Sequence, residues 1–297
     1  MKTILITGAG HTGVTGRFIK EYFSASPYHL LTPSSLELDL TDERAVSDYF
    51  SCHTIDYLVH CATYRANISK NDHLVDEILE SNLRMFFNLA RHSDKYDKMV
   101  YLGSGAEFDK SKDIVDIRED DFPRGIPKDK YGLGKYIMNH YCLKSENIYN
   151  FRLFGTLNPY ERYTKNVVSN LCVKAIMHLP LNLKKDCRFS FVDIDDVCRL
   201  LMLVLEGEPT YHAYNVVMDE KYLLSDIAKM VGQYAPNSNV SFEFSGLNRE
   251  YTASNRRIKD EFKITFKPIQ KSIEQIYHYW LEHQDLISID NIDGRWK

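Results

Sequence analysis

The stretch ILITGAGHTGVTG, residues 4–16, decides the fold: an apolar run ends at Thr7, and Gly8, Gly10, Gly13 and Gly16 follow. The next residues, RFIKEYF (17–23), have the pattern of an amphipathic helix. A buried strand that turns through glycines into a helix is typical of a dinucleotide-binding fold. The glycines permit a tight turn and close approach to a pyrophosphate, whose charge meets the N–H groups at the start of the helix.

The first half of the chain alternates between strand-like and helical patterns. Apolar runs predict strands at residues 29–32, 36–40, 57–62, 98–103 and 150–154. Three helices are also predicted. Thr41 caps the first, the second covers residues 72–92, and the third begins at Tyr131. This order predicts an α/β fold, a Rossmann-type doubly wound parallel sheet. Because ligands bind beyond the carboxyl ends of such strands, one rim of the sheet is expected to carry the glycine turn, Asp39, Cys61, Ala62, Thr63 and Ser104.

Tyr131 and Lys135 form the single Tyr-x-x-x-Lys pair in a chain with 20 tyrosines. Four residues apart on a helix, the two side chains share a face, and a nearby ammonium favours the phenolate. Such a tyrosine can give or take a proton near neutral pH. About one pair of this kind is expected by chance in a chain of this composition, so its weight comes from its place after the glycine turn.

Composition excludes several classes of function. The 297 residues carry a formal net charge of −4 without a basic run, which argues against a nucleic-acid partner. No apolar stretch approaches the roughly 20 residues of a membrane span, and residues 1–7 read as a strand rather than a signal peptide. The six cysteines lack a Cys-x-x-Cys pair, so reduced thiols and a cytoplasmic location are expected. The scattered histidines predict no metal site.

Several segments, in this order, resemble the extended short-chain dehydrogenase/reductase family, the NAD-dependent epimerase/dehydratase group that acts on nucleotide sugars. They are the glycine turn, Asp39-Leu40, VHCAT (59–63), LGSGAEF (102–108), the tyrosine-lysine pair, RLFGTLNP (152–159), FSFVDIDDV (189–197) and YNVVMDEKYLLSDIAKMV (214–231). The resemblance covers nearly the whole chain and implies a nucleotide-sugar oxidoreductase.

The resemblance assigns roles to individual residues. Ser104 would bind the substrate oxygen, Tyr131 would be the acid or base, and Lys135 would orient the nicotinamide ribose. Asn82 would support the active site. The implied cofactor contacts are Gly8, Gly10, Gly13, Gly16, Arg17, Ser34, Asp39, Leu40, Cys61, Ala62, Thr63 and Lys135, and the implied substrate contacts are Ser104, Gly105, Tyr131, Arg152 and Arg188. Without the resemblance, Ser104 reads equally as a turn serine and Asp39 as a local cap.

Departures from the family pattern narrow the chemistry. Dehydratases of the family carry an aspartate-glutamate pair where this chain has Gly105 and Ala106, and the epimerase-reductases that make fucose nucleotides carry a cysteine at the position of Ala106. Alanine cannot move a proton, so simple hydride transfer, at C4 of a sugar, is expected. Gly155 replaces a family asparagine, and Phe189 replaces a family arginine.

Two reactions stay open at this point: NADPH-dependent reduction of a 4-keto (6-deoxy) nucleotide sugar, and C4 epimerisation through a retained NAD. The second predicted strand ends in Thr32, Pro33, Ser34 and Ser35 rather than in an acidic residue. Those hydroxyls and Arg17 could accept a ribose 2′-phosphate, so NADP(H) is favoured and NAD(H) stays an alternative. A non-catalytic nucleotide sensor or scaffold is the alternative of another class.

Two domains are expected: an NAD(P)-binding Rossmann domain over 1–156, to which 190–206 return, and a mainly substrate-binding domain over 157–297. Relatives commonly dimerise through the helices that correspond to Asp72–His92 and Tyr131–Lys144. A homodimer is therefore expected.

Overall fold

The computed structural model describes residues 1–10, 13–64, 74–236 and 239–292. In these ranges the strands are β1 (Thr3–Thr7), β2 (His29–Leu31), β3 (Tyr57–His60), β4 (Lys98–Ser104), β5 (Ile114–Ile117), β6 (Ile148–Leu153), β7 (Gly155–Leu157), β8 (Leu181–Leu183), β9 (Arg188–Asp193), β10 (Ala213–Val216), β11 (Lys221–Leu223), β12 (Val240–Phe242) and β13 (Tyr251–Ala253). The α-helices are α1 (Thr15–Ser24), α2 (Glu43–Cys52), α3 (Leu74–Ala90), α4 (Lys130–Cys142), α5 (Val167–Ile176), α6 (Ile194–Glu206), α7 (Leu224–Gly232), α8 (Arg256–Phe262) and α9 (Ile269–Glu282).

The large sheet has the order β2-β1-β3-β4-β6-β10, and every neighbouring pair in it is parallel. After β1 the chain forms β2 on one side of that strand, and it then crosses to form β3 on the other side of β1. The topological switch point therefore lies between β1 and β3. The prediction of a doubly wound parallel sheet is confirmed. Ligands bind at such a switch point, beyond the strand ends Thr7 and His60.

Strand β1 is buried on both faces, as its continuous apolar run predicts. Ile4 and Ile6 belong to the core cluster that includes Ile19 and Phe23 of α1, whereas Leu5 belongs to the opposite cluster with Phe50 of α2. Alternate residues of one strand thus anchor helices on opposite faces of the sheet. This packing fixes the carboxyl end of β1, where the glycine turn begins.

The strand predicted at residues 36–40 is wrong, because this segment forms a turn. The N–H groups of Glu37 and Leu38 both donate to Ser34 O, at 3.1 and 2.9 Å. The Glu37 carboxylate in turn accepts from Ser34 N at 2.7 Å. The backbone is thereby bonded within its own segment rather than to a neighbouring strand.

The predicted cap of the next helix is wrong by one residue. Asp42 caps α2, since its Oδ1 accepts from Arg44 N at 2.8 Å and from Ala45 N at 3.2 Å. Thr41 instead donates its N–H and its hydroxyl to Asp39 Oδ1. The carboxylate of Asp42 reaches two of the unpaired N–H groups of the first turn, which stabilises the helix start.

A second sheet has the order β11-β9-β13-β5, and β7 also pairs with β9. Helix α6 contacts α1 and β4 of the nucleotide-binding part, as the expected return of 190–206 requires. Strand β9, which precedes α6 in the sequence, does not join the large sheet. It pairs with β7, β11 and β13 instead. The strand that returns to the large sheet is β10, which pairs with β6. The division into two domains stays a prediction.

The long helix predicted at 72–92 is present as α3, and the residues before it, including Asp72, lie outside the described ranges. In the part of the chain that the structure describes, none of the helices has both the length and the apolar character needed to span a membrane.

Candidate active site

A cavity of 1890 Å³ runs from the carboxyl edge of the large sheet towards the second sheet. Most of the residues predicted for the site lie along its wall. They are Gly8, Gly10, Gly13, Gly16, Ser34, Asp39, Leu40, Cys61, Ala62, Thr63, Ser104, Tyr131 and Lys135. Segments more than 100 residues apart in the sequence therefore face the same cavity, as expected for residues at the carboxyl ends of parallel strands.

The glycine turn is packed so closely that side chains do not fit at three of its positions. Gly8 has φ +71°, and a Cβ there would lie 2.7 Å from Ala62 N. A Cβ at Gly13 or Gly16 would lie 1.9 or 2.4 Å from Gly8 O. Gly10 differs, because a Cβ there would meet nothing within 4 Å. Gly10 therefore leaves room for a ligand where α1 begins.

Two turns shape the wall beside the end of β2. Ser34 lines it in the turn that Glu37 closes. Asp39 also lines it, while its Oδ1 accepts from both Thr41 N and Thr41 Oγ1. Asp39 thus holds its local turn and also lines the cavity, and its contact with the cofactor stays a prediction.

The loop after β3 is held by Asn82 of α3. The Asn82 side chain accepts from Tyr64 N at 3.0 Å and donates to Tyr64 O at 3.0 Å and to Ile78 O at 2.6 Å. It is buried rather than on a solvated helix face. The residues that it supports follow directly on Cys61, Ala62 and Thr63 in the cavity wall.

Helix α4 presents the tyrosine-lysine pair to the cavity. Asp129 caps this helix by accepting from Gly132 N at 2.8 Å. Lys135 is 2% exposed and donates to Leu102 O at 2.8 Å. Its Nζ lies 5.5 Å from the ring centre of Tyr131 and 4.4 Å from that of Tyr101. A buried cation thus stands beside the phenol that is expected to move the proton.

Two groups near Lys135, His60 and Cys61, are uncharged. Burial, together with the positive charge of Lys135, lowers the pKa of His60 to about 3. His60 is therefore neutral, and its Nδ1 shares a 2.8 Å hydrogen bond with Thr7 Oγ1. Burial also raises the pKa of the Cys61 thiol. Cys61 contributes a neutral wall rather than a nucleophile.

Ser104 ends β4 and opens the short 3₁₀ turn Gly105–Phe108, named here the serine turn. Its Oγ accepts from Ala106 N at 3.2 Å. This bond is the cap of a turn serine, yet the same residue lines the cavity. Ser104 therefore caps the turn and also lines the cavity.

Sequence reasoning missed Tyr251, a tyrosine beside Ser104. Strand β13 places its ring against Phe154 and Phe189, with ring centres 4.7 and 4.9 Å apart. Burial raises the pKa of Tyr251, an effect that a hydrogen bond from Ser104 partly offsets and that Tyr131 increases. The phenol of Tyr251 thus keeps its proton near both residues. No local motif marks Tyr251, because strand pairing alone brings it there.

The far end of the cavity is rich in cations and aromatic rings. Two acidic residues, Glu161 and Glu243, also line this end. Because the cations outnumber these acids, the far end suits an anionic ligand. Its cations are Arg162, Lys165, Lys174, Lys184 and Lys185, and its aromatic residues are Phe154, Phe189, Phe191, Phe242 and Phe244.

Four predicted residues do not line the cavity, which corrects their expected contacts. Arg17 pairs with Glu21 at 3.1 Å and stacks on Tyr160. Arg152 is fully buried against Glu107, at 2.7 Å. A Cβ at Gly105 would lie 2.4 Å from the Phe154 ring, so this glycine faces packing rather than space. Arg188 is exposed at the start of β9, and the next residue, Phe189, faces the cavity.

Comparison with known proteins identifies the family. Residues 4–216 match the model of the NAD dependent epimerase/dehydratase family. The chain belongs to this family. A curated relative is the GDP-L-colitose synthase of Yersinia pseudotuberculosis, 28% identical over 170 residues. The match covers 54% of this chain and 54% of that protein, so it spans about half of the relative's length.

Two solved structures share the fold of this chain. A GDP-L-fucose synthetase from Naegleria fowleri bound to NADP has a TM-score of 0.81 and 17% identity, with 96% of this chain and 94% of that chain covered. MlghC, a GDP-mannoheptose C4 reductase from Campylobacter jejuni with NADP bound, has a TM-score of 0.78 and 17% identity, with 94% and 98% covered. At these identities the likeness concerns the fold.

Proposed function

We propose that this protein reduces a 4-keto (6-deoxy) nucleotide sugar with NADPH, and that Tyr131 donates the proton. One observation carries the proposal: Ser104, Tyr131 and Lys135 face the cavity that the glycine turn also lines, while Gly105 and Ala106 beside Ser104 offer no group that could take a proton from carbon. The site is thus equipped for hydride transfer but lacks the side chains that elimination or C3/C5 epimerisation requires.

The residues of this chain would divide the work as follows. Bound NADPH supplies the hydride that forms the new C–H bond. Ser104 donates a hydrogen bond to the carbonyl oxygen, and the Tyr131 hydroxyl transfers its proton to that oxygen as negative charge develops on it. Lys135 stabilises the phenolate that Tyr131 becomes, since its ammonium is 5.5 Å from the ring centre.

The turn after β2 supports NADPH as the cofactor. Ser34 and Ser35 line the cavity, and hydroxyl groups can bond a 2′-phosphate. The N. fowleri and C. jejuni proteins are both described with NADP bound. Arg17 is left out of this set, because it does not line the cavity and pairs with Glu21.

A specific observation favours a second candidate, an NAD-dependent 4-epimerase. The Glu37 carboxylate accepts from Ser34 N at 2.7 Å, so an acidic group lies next to the residues that would hold the ribose, although Glu37 itself does not line the cavity. A carboxylate in that place binds the 2′-hydroxyl of NAD and repels the phosphate of NADP. The two candidates therefore differ in cofactor as well as in outcome.

The cationic far end supports a nucleoside diphosphate as the carrier of the sugar. Lysine and arginine are the side chains that bind phosphate oxygens most strongly. The relatives compared above are named for GDP-sugars. We therefore propose a GDP-sugar as the first substrate class to test, and a homodimer in the cytoplasm as the state in which it acts.

The first experiment identifies the cofactor. Freshly purified protein is denatured, any released nicotinamide nucleotide is separated by chromatography, and the stripped protein is titrated with NADPH and NADH. Tighter binding of NADPH and loss of NADPH absorbance with a 4-keto GDP-sugar support the reductase. Retained NAD, with interconversion of C4 epimers and no net NADPH consumption, would replace it with the epimerase.

A further inference from the structure

A buried ion pair joins the serine turn, which contains Glu107, to strand β6, which contains Arg152. The Glu107 carboxylate accepts from Arg152 Nε at 2.7 Å, from Asn150 Nδ2 at 2.9 Å and from Ser104 N at 3.4 Å. Glu107, Asn150 and Arg152 are each 0% exposed. One carboxylate thus joins strand β6 to the backbone of the residue expected to bind the substrate oxygen.

The arginine of this pair has an unusual environment. Its guanidinium lies between the rings of Phe108 and Phe122, 5.0 and 5.2 Å from their centres. Its Nη1 and Nη2 have no hydrogen-bond partner in the described protein. Burial of a charge with incomplete hydrogen bonding is costly, and an apolar pair of similar volume often gives equal or greater stability. Stability alone is therefore a weak reason for this pair.

The same network reaches the helix that carries Tyr131 and Lys135. Asn150 Nδ2 also donates to Asn139 Oδ1 of α4 at 2.8 Å. Phe122, one of the two rings around the guanidinium, packs against Tyr136 of α4 with ring centres 5.0 Å apart. A Cβ on Gly132 of α4 would lie 2.8 Å from Ala106 O, so the helix and the serine turn are in direct contact.

We propose that Glu107 and Arg152 are positioning residues that set the serine turn against α4, so that Ser104 and Tyr131 converge on one substrate oxygen. Neither residue lines the cavity, so they act through Ser104 rather than on the substrate. The inference rests on the proposed function, because it assumes that Ser104 and Tyr131 share a substrate atom. Displacement of catalytic groups by about 1 Å commonly costs on the order of 10²-fold in rate.

The test replaces the ion pair by an apolar pair, Glu107→Met with Arg152→Met. We expect kcat to fall at least about tenfold. The KM for the sugar substrate and the Kd for NADPH should stay within about twofold of wild type, and the midpoint of thermal unfolding should match that of wild type. Exchange of the amide hydrogens at 104–108 is expected to become faster, and exchange in α1 to stay unchanged. Wild-type kcat and wild-type exchange in the double variant would overturn the proposal.

A second variant covers the case in which the apolar pair does not fold. Glu107→Asp keeps the charge beside Arg152, but its shorter side chain cannot reach both Arg152 and Ser104 N. It should fold, lose at least about tenfold in kcat and exchange faster at 104–108; unchanged kcat and exchange would overturn the inference. If wild-type protein reduces no 4-keto nucleotide sugar, the proposed function fails, and the exchange of 104–108 still decides whether the pair holds the turn.

Discussion

Lys135 Nζ lies 5.5 Å from the centre of the Tyr131 ring and is held there by a 2.8 Å hydrogen bond to Leu102 O. The strand thus fixes the cation, and the helix fixes the phenol beside it. Since β4 also ends in Ser104, the position of all three groups depends on the contact between one strand and one helix.

Tyr131→Phe removes the proton donor and leaves the ring. We expect turnover to fall about 10²- to 10⁴-fold, the range typical of a lost general acid, while NADPH still binds. Steady-state kinetics and cofactor titration measure the two effects. Tyr141→Phe in the same helix is the control, because Tyr141 is exposed and does not line the cavity. Full turnover by Tyr131→Phe would exclude this residue as the donor.

The glycines of the turn should differ in what they tolerate. Gly10→Ala is expected to fold normally and bind NADPH more weakly, because its Cβ would occupy open space in the cavity wall. Gly13→Ala forces a Cβ to within 1.9 Å of Gly8 O and should lower stability by about 1–3 kcal/mol. Thermal melts with and without NADPH separate the two. Equal effects of both substitutions would contradict the assignment of Gly10 to the ligand side.

Ser34→Asp should reverse the cofactor preference. A carboxylate in the wall beside the end of β2 repels a 2′-phosphate and binds a 2′-hydroxyl. We expect the ratio of the Kd for NADPH to the Kd for NADH to rise at least about tenfold, equivalent to about 1.4 kcal/mol. Ser34→Asn, which has the shape of aspartate without its charge, controls for disturbance of the turn by a larger side chain. An unchanged ratio would place the 2′ position elsewhere.

Tyr251→Phe should show whether the tyrosine that β13 brings to the site matters. The ring contacts with Phe154 and Phe189 persist, and only the hydroxyl beside Ser104 is lost. We expect kcat to fall about tenfold, equivalent to about 1.4 kcal/mol for a lost hydrogen bond, with the Kd for NADPH unchanged. Tyr222→Phe, in β11 of the same sheet, is the control. If the two variants have equal kcat, the Tyr251 hydroxyl has no part in the reaction.

His60 should make the protein sensitive to acid. Burial is the main cause of its lowered pKa, about 3 in the folded protein against 6.5 for an ordinary histidine. Below pH 6.5 His60 is protonated in the unfolded chain but stays neutral in the folded protein. The free energy of unfolding therefore falls as the pH decreases towards 3. From pH 7 to 5 this loss is about 2 kcal/mol.

Urea unfolding at pH 7, 6 and 5 measures that loss of stability. His60→Asn keeps a polar group near Thr7 and does not titrate, so it should be less stable at pH 7 but lose about 2 kcal/mol less between pH 7 and 5. Equal pH dependence in both proteins would show that other groups dominate the acid response.

The parts predicted correctly from sequence are those set by local chemistry. The glycine turn, the alternation of strands and helices, and the Tyr131–Lys135 spacing all depend on near neighbours, and the structure brings them to one cavity. The family resemblance implies a substrate contact for Arg152, but the structure buries this side chain. Its burial depends on Glu107, 45 residues away, and no local pattern reveals that pairing.

Two other differences have the same origin. Residues 36–40 have the alternation of a strand, but the carbonyl of Ser34 and the carboxylate of Glu37 close the segment on itself. Tyr251 has no motif of its own and reaches Ser104 because β13 lies between β9 and β5. Strand order between distant segments is a property of the whole fold.

Strands from the two halves of the chain pair with each other in both sheets, which limits how this protein can be divided. Strand β10 comes from the second half and completes the large sheet beside β6, while β5 comes from the first half and pairs with β13 of the second. A fragment that ends at residue 156 would leave one edge of its main sheet uncovered, and the complementary fragment would lack a strand. A chimera that exchanges the substrate-binding half for that of a relative therefore needs at least three junctions: one near residue 156, one before β10 and one after it.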